Sequence, residues 1–375
     1  MTRTVAAASF QTGDERFMRV ALALGRRGLG NTWPNPAVGA VIVRDGVVCG
    51  RGWTQPGGRP HAETEAIRRA GADARGGTLF ATLEPCSHYG KTPPCVDAII
   101  AAGLARVVTA IEDPNPKVAG EGHARLRAAG ISVDVGLCAR EALRDHSGHI
   151  HRVRDGRPHV TLKLAVSADG KVAGAGRTRV AITADAANAY VHLMRARHDA
   201  ILIGIGTVLA DDPLLTCRLP GLEKSSPVRV VLDTDLRLPL SSRLVRTARE
   251  TPVSVFAGAH APQERAQALA AEGVDIVRIE ENDGTPPALP AVLRELAARG
   301  ITRLLIEGGP TVATAAVKAA MVDEFVLLRG QAAIGADGIA PFDGLTLDAA
   351  LAQGGLSERE TATLGADRVT IYGSD

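Results

Sequence analysis

Three side chains that bind transition metals stand far apart in this 375-residue chain, and they constrain its fold more than any other feature. His61 opens a helical stretch, Cys86 follows a strand-like run, and Cys95 begins a second helical stretch. One imidazole and two thiolates suit tetrahedral Zn²⁺, with the fourth position left for water. The positive end of a helix favours a thiolate. A fold that uses all three residues must bring one strand end and two helix starts to a single point.

Glu63 adds chemistry to this constellation. It lies two residues after His61, close enough to exchange protons with a metal-bound water without binding the metal itself. The order His-x-Glu followed by Pro-Cys is typical of nucleobase deaminases, although eight residues separate Cys86 from Cys95 here. Two alternatives stay open: a closed structural zinc site with His88 as fourth ligand, or buried side chains that bind no metal.

Bulk properties exclude several classes of protein. The length favours two domains. The net charge of +2 arises from 43 basic and 41 acidic residues that are mixed along the chain, which predicts no nucleic-acid partner. No apolar run reaches the roughly 20 residues of a membrane span, and no signal-peptide pattern is present, so we expect a cytoplasmic protein without a membrane partner. Five scattered cysteines indicate reduced thiols rather than a disulfide framework.

The hydrophobic pattern predicts an α/β fold in both halves of the chain, because short β-branched runs alternate with Ala-rich helical stretches. We expect a flexible N-terminus at 1–13, a first domain at 14–147, a linker at 148–157 and a second domain at 158–375. The linker region is polar, and we expect its histidines His146, His149 and His151 to be solvated. The predicted strands are 38–44, 47–52, 78–83, 106–111, 132–135, 159–165, 200–204, 228–232, 253–256, 303–307 and 324–328, and the predicted helices of the first half are 14–25, 61–70, 94–102 and 122–129.

The second half has two glycine-rich strand ends. The Gly-x-Gly at 204–206 lacks the third glycine of a dinucleotide fingerprint. The Glu-Gly-Gly-Pro-Thr run at 307–311 gives a helix entrance whose free N–H groups can bind phosphate. The alternative is that its glycines serve only a tight turn between strand and helix.

The first half resembles the deaminase domain of the bifunctional riboflavin biosynthesis family. The resemblance is carried by His-Ala-Glu at 61–63, the run Glu-Pro-Cys-Ser-His-Tyr-Gly-Lys-Thr-Pro-Pro-Cys at 84–95, Pro-Asn-Pro-Ala-Val-Gly at 34–39 and Asp-Pro-Asn-Pro at 113–116. It implies a cytidine-deaminase-like domain of α/β/α layers. It also implies that His61, Cys86 and Cys95 bind Zn²⁺ and that Glu63 is the catalytic proton carrier.

The second half resembles the reductase domain of the same family, which is related to dihydrofolate reductase. The matching segments are 161–163, 167–171, 182–183, Arg195, 206–208, 210–213, 215–218, 232–233 and 307–311. The implied NADPH contacts are Ala165, Thr207, Asp211, Thr234, Gly309, Pro310, Thr311, Val312, Ala313, Thr314 and Ala315. The implied substrate contacts are Arg195, Leu215, Arg218 and Glu307. The chain departs from the family at Arg177, Arg179 and Ala181; the family commonly has an aromatic residue in place of Ala181, and we expect a stacking partner for the cofactor to be missing there.

The resemblance implies two successive reactions on a small molecule. The first removes the 2-amino group of 2,5-diamino-6-(5-phosphoribosylamino)pyrimidin-4(3H)-one, and the second reduces the ribosyl group of the resulting uracil with NADPH to give 5-amino-6-(5-phosphoribitylamino)uracil. Family members are often homo-oligomeric. Two rivals are a base or tRNA deaminase with an accessory domain, and a zinc-stabilised binding module without catalysis. The first should be rich in aromatic stacking residues, yet 3% of the chain is aromatic; the second has no use for Glu63.

Overall fold

The structure is a computed structural model that describes residues 10–90, 92–116, 118–279 and 288–374. Residues 1–9 of the predicted N-terminal segment 1–13 therefore lie outside the described part. The chain divides into two compact units, Met1–Gly156 and Arg157–Asp375. Among the described residues, no helix combines the length and the apolar character that a bilayer crossing requires.

The described part of the first unit contains a five-stranded sheet in the order β2-β1-β3-β4-β5. β1 is antiparallel to β2 and β3, whereas β3, β4 and β5 are parallel to one another. The strands are β1 (Gly39–Arg44), β2 (Val47–Trp53), β3 (Thr78–Ala81), β4 (Arg106–Thr109) and β5 (Ser132–Val135). The helices are α1 (Asp14–Gly25), α2 (Ala62–Ala70), α3 (Cys95–Ala101), α4 (Glu121–Ala128), α5 (Ala139–Asp145) and α6 (Ser147–Arg154).

Helices cover both faces of this sheet, and two strands carry glycine at the points where a helix backbone approaches closely. A Cβ on Gly39 would lie 1.8 Å from the carbonyl oxygen of Ala21 in α1, and a Cβ on Gly52 would lie 2.3 Å from that of Ala62 in α2. Gly52 pairs with Ala40, the neighbour of Gly39, so the two glycines face opposite sides of the sheet. The expected α/β/α layering is confirmed, and α2, which carries His61 at its start, packs closely on β2.

The segment 148–157, predicted to be a linker, lies mostly within α6. His146, just before α6, is 2% exposed, and its Nε2 lies 3.0 Å from Thr82 Oγ1. Nε2 of His149 lies 3.4 Å from Oδ1 of Asp113. The prediction that these histidines are solvated was wrong for His146 and His149, because their rings have polar partners inside the first unit. The third histidine, His151, has 26% of its side chain exposed, and its ring lies beside Asp155.

The described part of the second unit contains a nine-stranded sheet in the order β10-β9-β8-β7-β11-β6-β12-β14-β13. Its strands are β6 (His159–Val166), β7 (Ala200–Gly204), β8 (Val228–Leu232), β9 (Val253–Gly258), β10 (Asp275–Ile279), β11 (Arg303–Ile306), β12 (Glu324–Arg329), β13 (Ser357–Leu364) and β14 (Asp367–Gly373). Its helices are α7 (Asp185–Ala196), α8 (Ile205–Asp211), α9 (Arg243–Arg246), α10 (Gln263–Ala271), α11 (Leu289–Ala298), α12 (Pro310–Lys318) and α13 (Leu347–Gly354).

Seven neighbouring strands of this sheet, from β10 to β12, are parallel, and an antiparallel hairpin of β14 and β13 forms one edge. The edge strand β13 is almost entirely exposed, and its pairing is irregular between Glu358 and Glu360. The six strands predicted for this half are present. Strands β10, β13 and β14 were not predicted. Strand β13 is exposed and charged, so it has no apolar alternation to reveal it.

One buried cation of the second unit, Arg229, joins several loop segments through hydrogen bonds. Arg229 in β8 is 0% exposed, and burial lowers the pKa of its guanidinium to about 10. Its Nη1 donates to Thr247 Oγ1 at 2.7 Å and to the carbonyl of Leu214 at 3.3 Å. Its Nη2 donates to the carbonyls of Thr247, at 2.9 Å, and of Thr251. Arg229 thus ties the chain that follows α9 to the segment that precedes Leu215.

Candidate active sites

The structure brings the three predicted metal ligands of the first unit together. Nδ1 of His61 lies 3.3 Å from Sγ of Cys95 and 3.6 Å from Sγ of Cys86, and all three donor atoms lie within 4.8 Å of one another. His61 is the residue before α2, and Cys95 is the first residue of α3. One nitrogen and two sulfurs around a common point fit Zn²⁺. His88 is not part of this group.

The environment of the two cysteines favours a thiolate. A hydrogen bond with the Cys95 thiol is the main cause that lowers the pKa of the Cys86 thiol to about 4. The backbone N–H of Cys95 also donates to Cys86 Sγ at 3.3 Å. The same thiol pair raises the pKa of Cys95. The pair of thiols therefore stabilises a thiolate, the form that binds a metal.

Glu63 lies in the first turn of α2 and is 3% exposed. His61, a predicted metal ligand, stands directly before α2 and two residues ahead of Glu63, so both residues belong to the same helix start. Burial is the main cause that raises the pKa of Glu63, and the nearby His61 opposes that rise. A buried carboxyl group whose pKa is raised toward neutrality suits a residue that takes up and returns a proton.

Asn35, from the Pro-Asn-Pro motif, contributes to the same site. Its Nδ2 donates to the carbonyl of Gly58 at 2.8 Å and lies 3.5 Å from Nε2 of His61. Gly58 has φ +85°, and a Cβ there would lie 2.7 Å from the Asn35 amide. The two loops before β1 and α2 therefore meet at the outer side of the His61 ring, and only glycine fits at position 58.

Glu84 is a residue whose role the sequence did not reveal. Its side chain is 0% exposed, and its carboxylate accepts backbone N–H groups from Asp113 at 3.1 Å, Gly120 at 3.0 Å, Gly122 at 2.8 Å and His123 at 3.2 Å. Glu84 stands two residues before Cys86 in the chain. It anchors Asp113 and the start of α4 to the loop after β3 that contains a metal ligand. Glu84 opens the motif at 84–95, and nothing in that motif indicates that its side chain binds backbone N–H groups.

The second unit contains a cavity of about 630 Å³. Nine of the predicted cofactor and substrate contacts line it: Ala165, Arg195, Thr207, Asp211, Leu215, Arg218, Glu307, Gly309 and Pro310. Thr234 and residues 311–315 are not among the lining residues. Within α12, Val312, Ala313 and Thr314 are buried, and Thr311 donates through its hydroxyl to Asp343. The cavity also meets residues for which the sequence predicted no contact, chiefly Lys163, Arg177, Arg179 and Arg243, together with Ala181.

The carboxylate of Glu307 organises two cations at the centre of the cavity. Arg195 donates to it from Nε at 2.7 Å and from Nη2 at 2.9 Å, and Lys163 Nζ lies 3.6 Å away. Burial opposes ionisation, but Arg195 and Lys163 outweigh it and lower the pKa of Glu307 to about 2. The remaining Nη1 of Arg195 donates to the carbonyl of Thr216 at 3.3 Å. All three nitrogens of Arg195 are thus engaged by the protein.

Leu215 holds an uncommon backbone conformation in the cavity wall. Its φ is +58°, in the left-handed region that costs a branched residue free energy, and it is 3% exposed. The preceding carbonyl, that of Leu214, accepts a hydrogen bond from Arg229. The buried guanidinium therefore fixes the backbone next to the strained residue.

Two family models match the chain. The model described as the cytidine and deoxycytidylate deaminase zinc-binding region matches residues 11–111. The model described as the RibD C-terminal domain matches residues 158–368. The second match identifies the second unit as a reductase domain rather than a non-reductase accessory domain. The alternative of a base or tRNA deaminase with such an accessory domain is therefore not favoured.

Whole proteins and solved structures agree with these matches. The chain is 42% identical to the riboflavin biosynthesis protein RibD of Escherichia coli, over 86% of this chain and 89% of that protein. It is 40% identical to RibD of Aquifex aeolicus, over 84% of this chain and 86% of that protein. A structure of Acinetobacter baumannii RibD superposes with a TM-score of 0.84 at 36% identity, over 96% of this chain and 99% of that one.

A second solved structure, from Thermotoga maritima, is described as a diaminohydroxyphosphoribosylaminopyrimidine deaminase/5-amino-6-(5-phosphoribosylamino)uracil reductase. It gives a TM-score of 0.83 at 34% identity, over 96% of this chain and 98% of that one. The first unit is thus a cytidine-deaminase-like domain, and the second is a reductase domain with the dihydrofolate-reductase-like fold. The chain belongs to the RibD family of riboflavin biosynthesis and is a deaminase and a reductase in one polypeptide.

Proposed function

We propose that the first unit deaminates 2,5-diamino-6-(5-phosphoribosylamino)pyrimidin-4(3H)-one and that the second reduces the product with NADPH to 5-amino-6-(5-phosphoribitylamino)uracil. The observation that carries the first step is the convergence of His61, Cys86 and Cys95 beside the buried Glu63. The second step is supported by a cavity whose lining charges are mostly positive, as a phosphorylated substrate and a dinucleotide require.

In the deaminase, His61 Nδ1 and the two cysteine sulfurs would hold Zn²⁺. The metal, when bound, supplies a Lewis acid that lowers the pKa of water. Glu63 takes a proton from the attacking water and returns it to the leaving amine, so that the C2–N bond breaks, a C2–O bond forms and ammonia departs. Its burial excludes bulk water from this exchange. Asn35, held by Gly58, orients the His61 ring and closes one wall of the site.

In the reductase, Thr207, Asp211, Gly309 and Pro310 would hold NADPH, which supplies the hydride that reduces the ribosyl group. Glu307 is ionised at neutral pH, and its carboxylate holds Arg195 and Lys163 in place in the cavity. Ala181 lines the cavity with a methyl group, so this chain lacks an aromatic stacking surface there. The cofactor therefore depends more on polar contacts than it would if an aromatic ring stacked on it.

The proposal extends to the setting of the enzyme. We infer a cytoplasmic protein that acts on a small molecule, with no nucleic-acid or membrane partner and with self-association into a homo-oligomer. A net charge of +2 gives no attraction to polyanions.

The test is purified protein supplied with the diaminopyrimidine phosphate, with ammonia release and NADPH oxidation followed separately. We expect ammonia without NADPH, and oxidation of one NADPH per ammonia when the cofactor is added. The matched control is Glu63→Gln, which should keep its zinc and lose about 10²-fold or more in ammonia release. Full ammonia release by Glu63→Gln, or zinc-loaded protein that releases none, would refute the deaminase assignment.

A further inference from the structure

The loop of eight residues between the two cysteine ligands needs support from other parts of the first unit. This connecting loop, residues 87–94, begins after Cys86 and ends at Cys95, the first residue of α3. Its described residues belong to no helix or strand, and the backbone N–H of Gly90 donates to the carbonyl of Thr92 at a long 3.4 Å. A metal that fixes both ends of a free loop must offset the conformational entropy that the loop loses. Contacts that hold the loop ends before the metal binds therefore favour metal binding.

Arg125 of α4 bridges the two ends of this connecting loop. Its Nη1 donates to the carbonyl of Ser87, the residue after Cys86, at 2.7 Å. Its Nη2 donates to Oδ1 of Asp97, two residues after Cys95, at 2.5 Å. One planar guanidinium thus joins the chain beside one ligand to the chain beside the other, and its rigid shape fixes the spacing of the two acceptors.

The helix that carries Arg125 is itself held in place. The carboxylate of Glu84, in the loop after β3, accepts the backbone N–H of Gly122 in the first turn of α4 at 2.8 Å. A Cβ on Gly122 would lie 2.3 Å from the carbonyl oxygen of Pro85 in the same loop. Leu126, next to Arg125, is 0% exposed and belongs to the core of the first unit. Arg125 therefore extends from a rigid element, as a residue that orients a metal site requires.

The exposure of the ion pair distinguishes a positioning role from a stabilising one. About two fifths of the Arg125 side chain and one third of the Asp97 side chain are exposed: 40% and 33%. Ion pairs with this exposure contribute little to the free energy of unfolding, because solvent screens them. Residues that orient metal ligands from outside, in contrast, change metal affinity by roughly 10- to 100-fold.

We propose that Arg125 is a positioning residue of the deaminase site, which holds Cys86 and Cys95 at a spacing suited to zinc before the metal binds. This inference rests on the proposed function of the first unit and adds a residue that is not a metal ligand. Arg125 acts on the two ligands through the Ser87 carbonyl and the Asp97 carboxylate. Loss of the guanidinium should weaken zinc binding and leave the fold of the first unit intact.

The test is Arg125→Gln in the full-length protein, with Arg127→Gln as matched control. Arg127 is exposed on the same helix, and its Nη2 donates to the carbonyl of Val133 in β5 at 3.2 Å. Competition with a chelator of known affinity measures the zinc Kd of each variant. We expect Arg125→Gln to bind zinc about tenfold or more weakly than wild type, and Arg127→Gln to match wild type. Arg125→Lys should recover only part of the loss, because an ammonium lacks the planar fork that serves two acceptors.

Two further measurements separate positioning from a general loss of structure. The double variant Arg125→Gln/Asp97→Asn should lose less zinc affinity than the sum of the single losses, because the two side chains act as one pair. Saturating zinc should restore ammonia release to Arg125→Gln, since the metal ligands and Glu63 are intact.

The outcomes that contradict the inference differ from those that contradict the proposed function. Equal zinc affinities of Arg125→Gln and Arg127→Gln would overturn the inference, including the case in which both are weakened, which would indicate a general loosening of α4. Strictly additive losses with Asp97→Asn, or a loss of ammonia release that persists at saturating zinc, would also overturn it. Wild-type protein that binds no zinc, or that binds zinc and releases no ammonia, would instead refute the proposed deaminase function.

Discussion

The carboxylate of Glu84 illustrates how a residue outside the chemistry can determine a site. Four backbone N–H groups converge on it, and a glutamine could accept from them with one oxygen only, while its NH₂ group would face donors. We expect Glu84→Gln to lower the free energy of unfolding of the first unit by about 2–4 kcal/mol, because buried donors lose their acceptor. Ammonia release should fall as the segment between β4 and α4 loosens.

Thermal unfolding of the zinc-loaded protein measures this effect. Glu112→Gln is the control, since the Glu112 side chain also lies near His123 but is 54% exposed, and such a change should cost less than about 0.5 kcal/mol. If the two variants unfold at the same temperature, Glu84 does not anchor the segment.

Zinc content separates metal ligands from other thiols. We expect Cys95→Ser to lose zinc, because a hydroxyl is a poor substitute for a thiolate among three protein ligands. Cys49→Ser should keep it, as Cys49 hydrogen-bonds to the carbonyls of Ile42 and Asp73 on another part of the first unit. Metal analysis of the purified variants checks this expectation, and a full zinc complement in Cys95→Ser would contradict the ligand assignment.

Among the elements, α6 is one that the sequence did not reveal. A run of polar and His residues normally indicates a solvated connection, and only the structure shows that His146 and His149 reach Thr82 and Asp113. Most of the predicted strands were recognisable because they are runs of Val, Ile and Leu, which the structure shows to be buried. The partners of His146 and His149 were not predictable, since no local pattern encodes which buried polar groups meet.

Truncation tests the role of α6. A fragment of residues 1–156 should fold, bind zinc and release ammonia, because it keeps every described contact of the first unit. A fragment of residues 1–145 loses both histidines, and we expect it to unfold at a lower temperature and to lose deaminase activity. Circular dichroism and zinc analysis distinguish the two, and equal stability of the fragments would show that α6 is dispensable.

At the scale of the whole molecule, the two sites should fail independently, because each is built from residues of one unit. With the deaminated uracil supplied directly, Glu63→Gln should oxidise NADPH at the wild-type rate, since hydride transfer uses no residue of the metal site. Asp211→Ala should slow that oxidation and leave ammonia release intact. Separate assays of both variants check this, and loss of both activities in either variant would contradict it.

The sequence predicted this two-part organisation because the motifs of each reaction fall in separate halves of the chain. It did not predict that Glu307 and Thr216 hold Arg195 in the cavity, because no local pattern encodes which polar groups meet there.

The exposed strand β13 also affects how molecules of this protein meet. An edge strand offers free N–H and C=O groups to any neighbouring strand, which is a common route to fibrils. Glu358, Arg359 and Glu360 place three charges on β13, and its pairing with β14 is irregular at the same point. A second strand that docked there would have to strip water from these charges and follow a distorted backbone. The nine-stranded sheet thereby resists growth into an intermolecular sheet at this edge.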